Sequence, residues 1–426
     1  MRGPGEPAGG KAVRPVAEPL YVRTVEIDDP GFLLDRIPAD GALSWVRDGD
    51  GLVGWGEAAR VELDGAERFS RAQRWWTDLL ARTETDDQVA VPGTGPIAFA
   101  SFGFDPRPGR SVVVVPRTVL GRRGGRAWLT TVGTGTPAPA ARLRPVAAPT
   151  PVGTVQWEAG RLDDAAWQAA VSQAVARIRS GELDKVVLAR DILARVSGPI
   201  DVRRLLRRLA LAYPDCWTFA VDGLVGATPE LLVRRTGDHV TSRVLAGTVR
   251  RDGDASADAS AAQALLASGK DLHEHEYAVH SVADALAAHC TDLDVPDRPT
   301  VLRLANVQHL VTDVTGRLAD AVPVLALAGS LHPTAAVCGT PTERAMAVIR
   351  ELEGIDRGRY AGPVGWFDAN GDGELGIALR CAEVDAAAGT LRLFAGCGIV
   401  AGSQPAAELA ETRDKLRAMQ TAVEPD

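Results

Sequence analysis

Cysteine is scarce in this chain of 426 residues: Cys216, Cys290, Cys338, Cys381 and Cys397 are the only five. Their number is odd, they lie far apart and no C-x-x-C occurs. This argues against a disulfide scaffold or a zinc ribbon and fits a reducing cytoplasm. A run of about 18 apolar residues, the length of a membrane helix, is also missing. Basic residues do not dominate: 47 Lys and Arg stand against 55 Asp and Glu, a net charge of -8. That balance argues against nucleic acid or an anionic membrane as partner. Met1 to Glu18 is rich in Gly, Pro and Ala without the apolar core of a signal peptide, and reads as a disordered tail.

Several catalytic signatures are absent too. His273-Glu274-His275-Glu276 is followed by Tyr277, so there is no H-E-x-x-H zinc motif. No phosphate-binding P-loop occurs. Gly396-Cys397-Gly398-Ile399-Val400-Ala401-Gly402 is one residue too long for the dinucleotide fingerprint, and no acidic residue follows at the end of a next strand. No repeat of solenoid length is present.

What remains is an ordinary globular composition, 46% hydrophobic and 24% charged, with length for two domains or one large one. Residues 19–150 form a first part: short alternating segments, a helix over Ala66–Arg82, and a Pro/Ala-rich linker over Thr136–Pro151. Residues 151–426 form the second. Helical spacing predicts helices from Asp164 to Ile178 and over Ala257–Leu266, Ser268–Ala288, Thr342–Leu352 and Pro405–Val423. Strands fit Lys185–Val196, Cys216–Val221, Leu231–Arg235, Leu302–Val314, Gly362–Asp368, Gly376–Val384 and Thr390–Ile399. Strands come in runs with helices between them, which predicts an α+β fold with largely antiparallel sheet.

The last ordered stretch carries the most chemistry. A glycine-rich turn at Gly396–Gly402 runs into a helix bearing Glu408, Glu411 and Lys415, spaced to share one face. Two adjacent carboxylates suit a divalent cation, and glycines let backbone approach an anion. A solvated helix face is the alternative.

Upstream, Lys185 sits inside a strand with Val187 and Ala189 on its face. A buried lysine is costly to keep charged, and desolvation favours the neutral amine that serves as a base; a strand-edge lysine reaching water is the alternative. Glu230 stands at a turn entering a strand, as a general acid in an apolar site or as a turn residue. Gly247-Thr248 ends a strand and offers an amide and a hydroxyl to a carboxylate, or makes a plain turn. Asp271 and Glu274 open a densely ionisable helix, where Glu274 suits a hard cation. His332-Pro333-Thr334 forms a turn. Tyr360 and Arg380 fall on neighbouring strands of one hairpin, and arginine is the preferred fork for a carboxylate.

Nine short motifs occur in order: Lys-Val-Val-Leu-x-Arg, Gly-Ala-x-Pro-Glu-Leu, Leu-Ala-Gly-Thr, Lys-Asp-x-x-Glu-His, Leu-His-Pro-Thr, Tyr-x-Gly, Leu-Arg-Cys-Ala, Ala-Gly-x-Gly-Ile-Val and Glu-x-x-Glu-Thr-x-x-Lys. Over roughly 162–420 this set resembles the chorismate-utilising enzymes, anthranilate synthase component I-like proteins, and most closely the isochorismate synthases. The resemblance implies one large fold with two layered antiparallel sheets and flanking helices, acting as a monomer. It implies an Mg²⁺-dependent isomerase that adds water at C2 of chorismate and expels the C4 hydroxyl.

The implied roles follow the matching residues. Lys185 activates water, Glu230 protonates the departing hydroxyl, and His332 lines the ring. Glu274 and Glu411 bind Mg²⁺, with Asp271 and Glu408 in support. Gly247, Thr248, Gly396, Gly398 and Lys415 hold the ring carboxylate; Tyr360 and Arg380 clamp the enolpyruvyl carboxylate. Family members that use ammonia typically carry glutamine at the position of Lys185, and those with a covalent route carry lysine at the position of Ala246. Salicylate synthases, which go on to eliminate pyruvate, share almost the whole set, and a non-catalytic dicarboxylate-binding homologue is a further alternative. In the family the product feeds menaquinone or siderophore biosynthesis.

Overall fold

The computed structural model describes residues 18–425, apart from 40, 108, 139–142, 144 and 252; the expected tail at 1–18 lies almost wholly outside the described residues. Two large sheets of thirteen and ten strands form the architecture. Pairing is antiparallel throughout except where Leu20–Ile27 runs alongside Thr83–Asp87. Residues of the N-terminal part are woven into both sheets. Leu43–Arg47 pairs with Trp217–Val221 in the larger, and Ile97–Ser101 pairs with Pro363–Asp368 in the smaller. Trp45, Trp128, Trp167 and Trp366 are fully buried between these layers and the helices, where large aromatic rings contribute most of the apolar area a core can hide.

The sequence-predicted elements around the site recur with small shifts. Lys185–Val196, Thr342–Leu352 and Pro405–Val423 have the expected bounds. Asp163 caps the helix Asp164–Arg179 by accepting the Ala166 amide, and Pro405 opens the last helix, where no amide partner is needed.

Four readings change. Gly376–Val384 is two strands, Gly373–Ile377 and Cys381–Asp385, which lie in different sheets. Leu302–Val314 is two strands, Thr300–Arg303 and Val307–Leu318, that pair with each other across the turn at Leu304–Asn306. The strand expected to end at Gly247-Thr248 instead runs on from His239 to Arg250. Gly247 is extra in the ladder, because register shifts between Ala246 and Thr248 against Val307–Leu318; its φ of 72° is the left-handed geometry of a bulge. Gly396 and Gly398 likewise lie in the strand Thr390–Ile399, opposite Ala189 and Val187, and the turn comes after them. Two helices escaped the periodicity reading, Val202–Ala212 and Val324–Leu331.

Candidate active site

A cavity opens where the strands Lys185–Val196 and Thr390–Ile399 meet the C-terminal helix. Its wall brings together Glu230, Gly247, Thr248, Glu274, Tyr360, Arg380, Gly396, Gly398, Glu411 and Lys415. These residues come from segments almost two hundred positions apart. The bulge turns Gly247 and Thr248 into the cavity, and a Cβ on Gly247 would press on Asp271 Cβ at 3.1 Å.

Glu230 follows the strand Leu224–Thr228 and is 4% exposed. Burial pushes its pKa up to about 8, against the pull of Lys185, Lys415 and Arg380. Its carboxyl is therefore protonated at neutral pH and able to donate.

Lys185 is fully buried. It is not on the cavity wall itself but reaches it through Glu274, whose Oε1 lies 3.3 Å from Nζ. Nζ has no hydrogen-bond partner. A Cβ on Gly398 would fall 2.0 Å from Glu274 Oε1 and 3.1 Å from Lys185 Cε. Glycine is therefore needed at 398 for close approach rather than for a turn.

Lys415 Nζ contacts Glu411 Oε1 at 2.6 Å and donates to the Gly396 carbonyl at 3.0 Å. Burial opposes its charge, yet Glu411 beside it holds its pKa above the usual value. Glu408 and Asp271 stay off the wall. Glu408 is buried and accepts from Lys270 Nζ at 2.9 Å, while Asp271 pairs with Ser268 at the helix start. Among the described residues, no three His, Cys, Asp or Glu side chains assemble as a ready metal cage. The Cys397 thiol lies 3.8 Å from the Glu408 carbonyl.

Tyr360 and Arg380 stand at the open end of the hairpin formed by Pro363–Asp368 and Gly373–Ile377 rather than on its strands. Ala361 donates to Ala378, and Ala378 to Gly362, which closes that end. Tyr360 stacks on Phe394 with centroids 5.0 Å apart. Arg380, at φ 48°, keeps one buried Nη1 without a partner, a donor left over for an anion.

His332 is the correction. It is absent from the wall and packs against Phe69 and Phe104, donating through Nε2 to the Phe104 carbonyl at 2.9 Å. Burial drives its pKa down to about 3, so it stays neutral and structural.

The histidine that does line the cavity is His309, which the sequence reading missed. It accepts from Arg380 and faces Thr248 Oγ1 at 3.1 Å. A polar Gln308-His309 pair between the apolar Val307 and Leu310-Val311 was the available signal. Arg357 is the second unforeseen wall residue.

This fold and cavity define a chorismate-binding enzyme: the chain matches the family described as chorismate binding enzyme over residues 43–424, and it belongs to that family. Its relatives are named isochorismate synthases. It is 38% identical to the salicylate biosynthesis isochorismate synthase of Pseudomonas aeruginosa, over 99% of this chain and 94% of that one. It is 33% identical to isochorismate synthase MenF of Bacillus subtilis, covering 87% and 85%. The structure of the menaquinone-specific isochorismate synthase from Escherichia coli superposes with a TM-score of 0.78 at 26% identity, covering 96% of this chain and 95% of that one.

Proposed function

We propose that this protein is an isochorismate synthase, an isomerase that converts chorismate to isochorismate. The observation that carries the reading is one cavity whose wall holds a buried, protonated carboxyl, Glu230, and also Glu274, behind which the buried Lys185 lies 3.3 Å away. Lys185 takes a proton from water as the oxygen bonds to C2. The ring double bonds shift, the C4–O bond breaks, and Glu230 gives its proton to the departing hydroxyl. One water enters and one leaves, so the net change is an isomerisation.

The two carboxylates of chorismate find separate partners. Arg380 with its unpaired Nη1, and Tyr360, suit the enolpyruvyl carboxylate. Gly247, Thr248, Lys415 and the backbone at Gly396 and Gly398 suit the ring carboxylate.

Glu274 and Glu411 both lie on the wall and are hard oxygen donors, which fits Mg²⁺ completed by waters and substrate oxygens. Each now sits beside a lysine nitrogen. Asp271 and Glu408 support them from behind. When bound, Mg²⁺ supplies positive charge against the ring carboxylate in an otherwise acidic site.

The test is incubation of the protein with chorismate and Mg²⁺, with products identified by mass and NMR. Isochorismate in a mixture with chorismate is the expected result. Salicylate plus pyruvate moves the assignment to salicylate synthase. Unchanged chorismate overturns the catalytic reading.

A further inference from the structure

The strand carrying Lys185 is laddered along one whole edge by Thr390–Ile399. Its other edge is paired by strands only at the ends. Gly339–Thr340 takes Lys185 and Val186, and Val155–Ala159 takes Ile192 to Val196. Between them the edge is buried, where an unmet backbone group costs about 1–3 kcal/mol.

The Val187 amide still meets the Cys338 carbonyl at 2.8 Å, and beyond it side chains fill the gap. Glu353 Oε1 accepts the Ala189 amide at 2.7 Å. Arg357 Nη2 donates to the Val187 carbonyl at 2.7 Å, and its Nη1 to the Val337 carbonyl at 2.9 Å. Arg357 Nε binds Glu353 Oε2 at 2.9 Å, so the two act as one planar unit. The guanidinium lies 4.2 Å from the centroid of the Phe104 ring. Glu353 is 1% exposed and Arg357 3%. The backbone carbonyl of Arg357 accepts the Tyr360 amide at 3.0 Å.

We propose that the Glu353–Arg357 pair is the positioning element of this site, a side-chain substitute for a missing strand that ties the Lys185 strand to the Tyr360 loop. Arg357 borders the cavity, but its guanidinium nitrogens are taken up by Val187, Val337 and Glu353. It acts through the backbone at Val187 and Ala189, two and four residues from Lys185, and through Tyr360. The inference rests on the roles proposed above for Lys185 and Tyr360.

Stability alone is a poor account of the pair. A buried ion pair replaced by apolar residues of similar volume is often neutral or stabilising. What apolar residues cannot do is bond to the Ala189 amide and the Val187 and Val337 carbonyls. Lysine cannot do so either, because it lacks the planar fork that reaches two carbonyls and a carboxylate at once.

The experiment compares wild type, Lys185→Ala, Arg357→Lys and the double variant Glu353→Met/Arg357→Met. Melting temperature, kcat, KM for chorismate and hydrogen exchange over residues 185–191 are measured on each. The double variant is expected to fold but to melt several degrees below wild type, because it leaves the Ala189 amide and the Val187 and Val337 carbonyls unmet. Its kcat should fall about tenfold or more and its KM should rise, with faster exchange over 185–191. Arg357→Lys should not rescue either constant. A double variant with wild-type kcat, KM and exchange overturns the proposal. If the double variant does not fold, Arg357→Lys decides alone, and wild-type constants there overturn the proposal. Full activity in Lys185→Ala would instead overturn the base assignment, and the exchange data would still report on the pairing gap.

Discussion

Arg380 donates through Nη2 to Nε2 of His309 at 2.8 Å, deep in the cavity. A guanidinium has only donors, so Nε2 must be the acceptor and the ring proton must sit on Nδ1. That nitrogen lies 3.1 Å from Thr248 Oγ1 and 3.3 Å from the Gly247 carbonyl. One neutral imidazole therefore links the groups assigned to the two substrate carboxylates. Burial and Arg380 hold its pKa well below the usual value, which keeps it neutral. Replacing it with phenylalanine strands an Arg380 donor, and KM for chorismate should rise about tenfold with kcat little changed. Steady-state kinetics of His309→Phe checks this.

Glu230→Gln keeps shape but removes the acidic proton. Its kcat should drop about 10²–10⁴-fold. In wild type, activity should decline as pH rises through about 8, where Glu230 ionises. A pH–rate profile without that basic limb argues against Glu230 as the acid.

The same shift has a stability consequence. The folded pKa of Glu230 is raised from 4.5 to about 8, so between these values the folded state holds a proton that the unfolded state has lost. This contribution to stability is complete below 4.5 and is lost as pH rises through 8. Glu230→Gln has no such loss. Its melting temperature should gain on wild type between pH 5 and pH 8 and level off above, as thermal melts across pH will show.

Lys185→Ala should abolish water addition while leaving circular dichroism unchanged. The lysine is fully buried beside Glu274, and Glu274 borders the cavity, where water can meet the carboxylate left behind. Unchanged turnover would remove Lys185 from the mechanism.

Glu411→Gln should weaken the Mg²⁺ response and activity together, because Glu411 lies on the cavity wall. An Mg²⁺ titration of turnover that matches wild type contradicts the metal assignment.

Most of the site was legible because its residues sit in short, chemically distinct motifs. Lys185 stood out as a charge inside a strand, Glu274 in a densely ionisable helix start, and Lys415 beside two carboxylates on one helix face. The resemblance set their order, and the cavity gathers all but Lys185 onto its wall. His332 shows the limit. A histidine in a turn carries no local sign of which way its ring faces, and here Phe69 and Phe104 enclose it.

By itself the sequence determined the element types, the antiparallel α+β character and the chemistry available, since periodicity and side-chain identity are local properties. Tertiary structure alone decided three things. It made Gly247 a bulge and Gly398 a contact point, because both depend on what the facing chain places there. It raised the pKa of Glu230, because desolvation is a property of the surroundings. It also set Glu353 and Arg357 into the unpaired edge beside Lys185, because a gap in a sheet exists only once the strands are assembled.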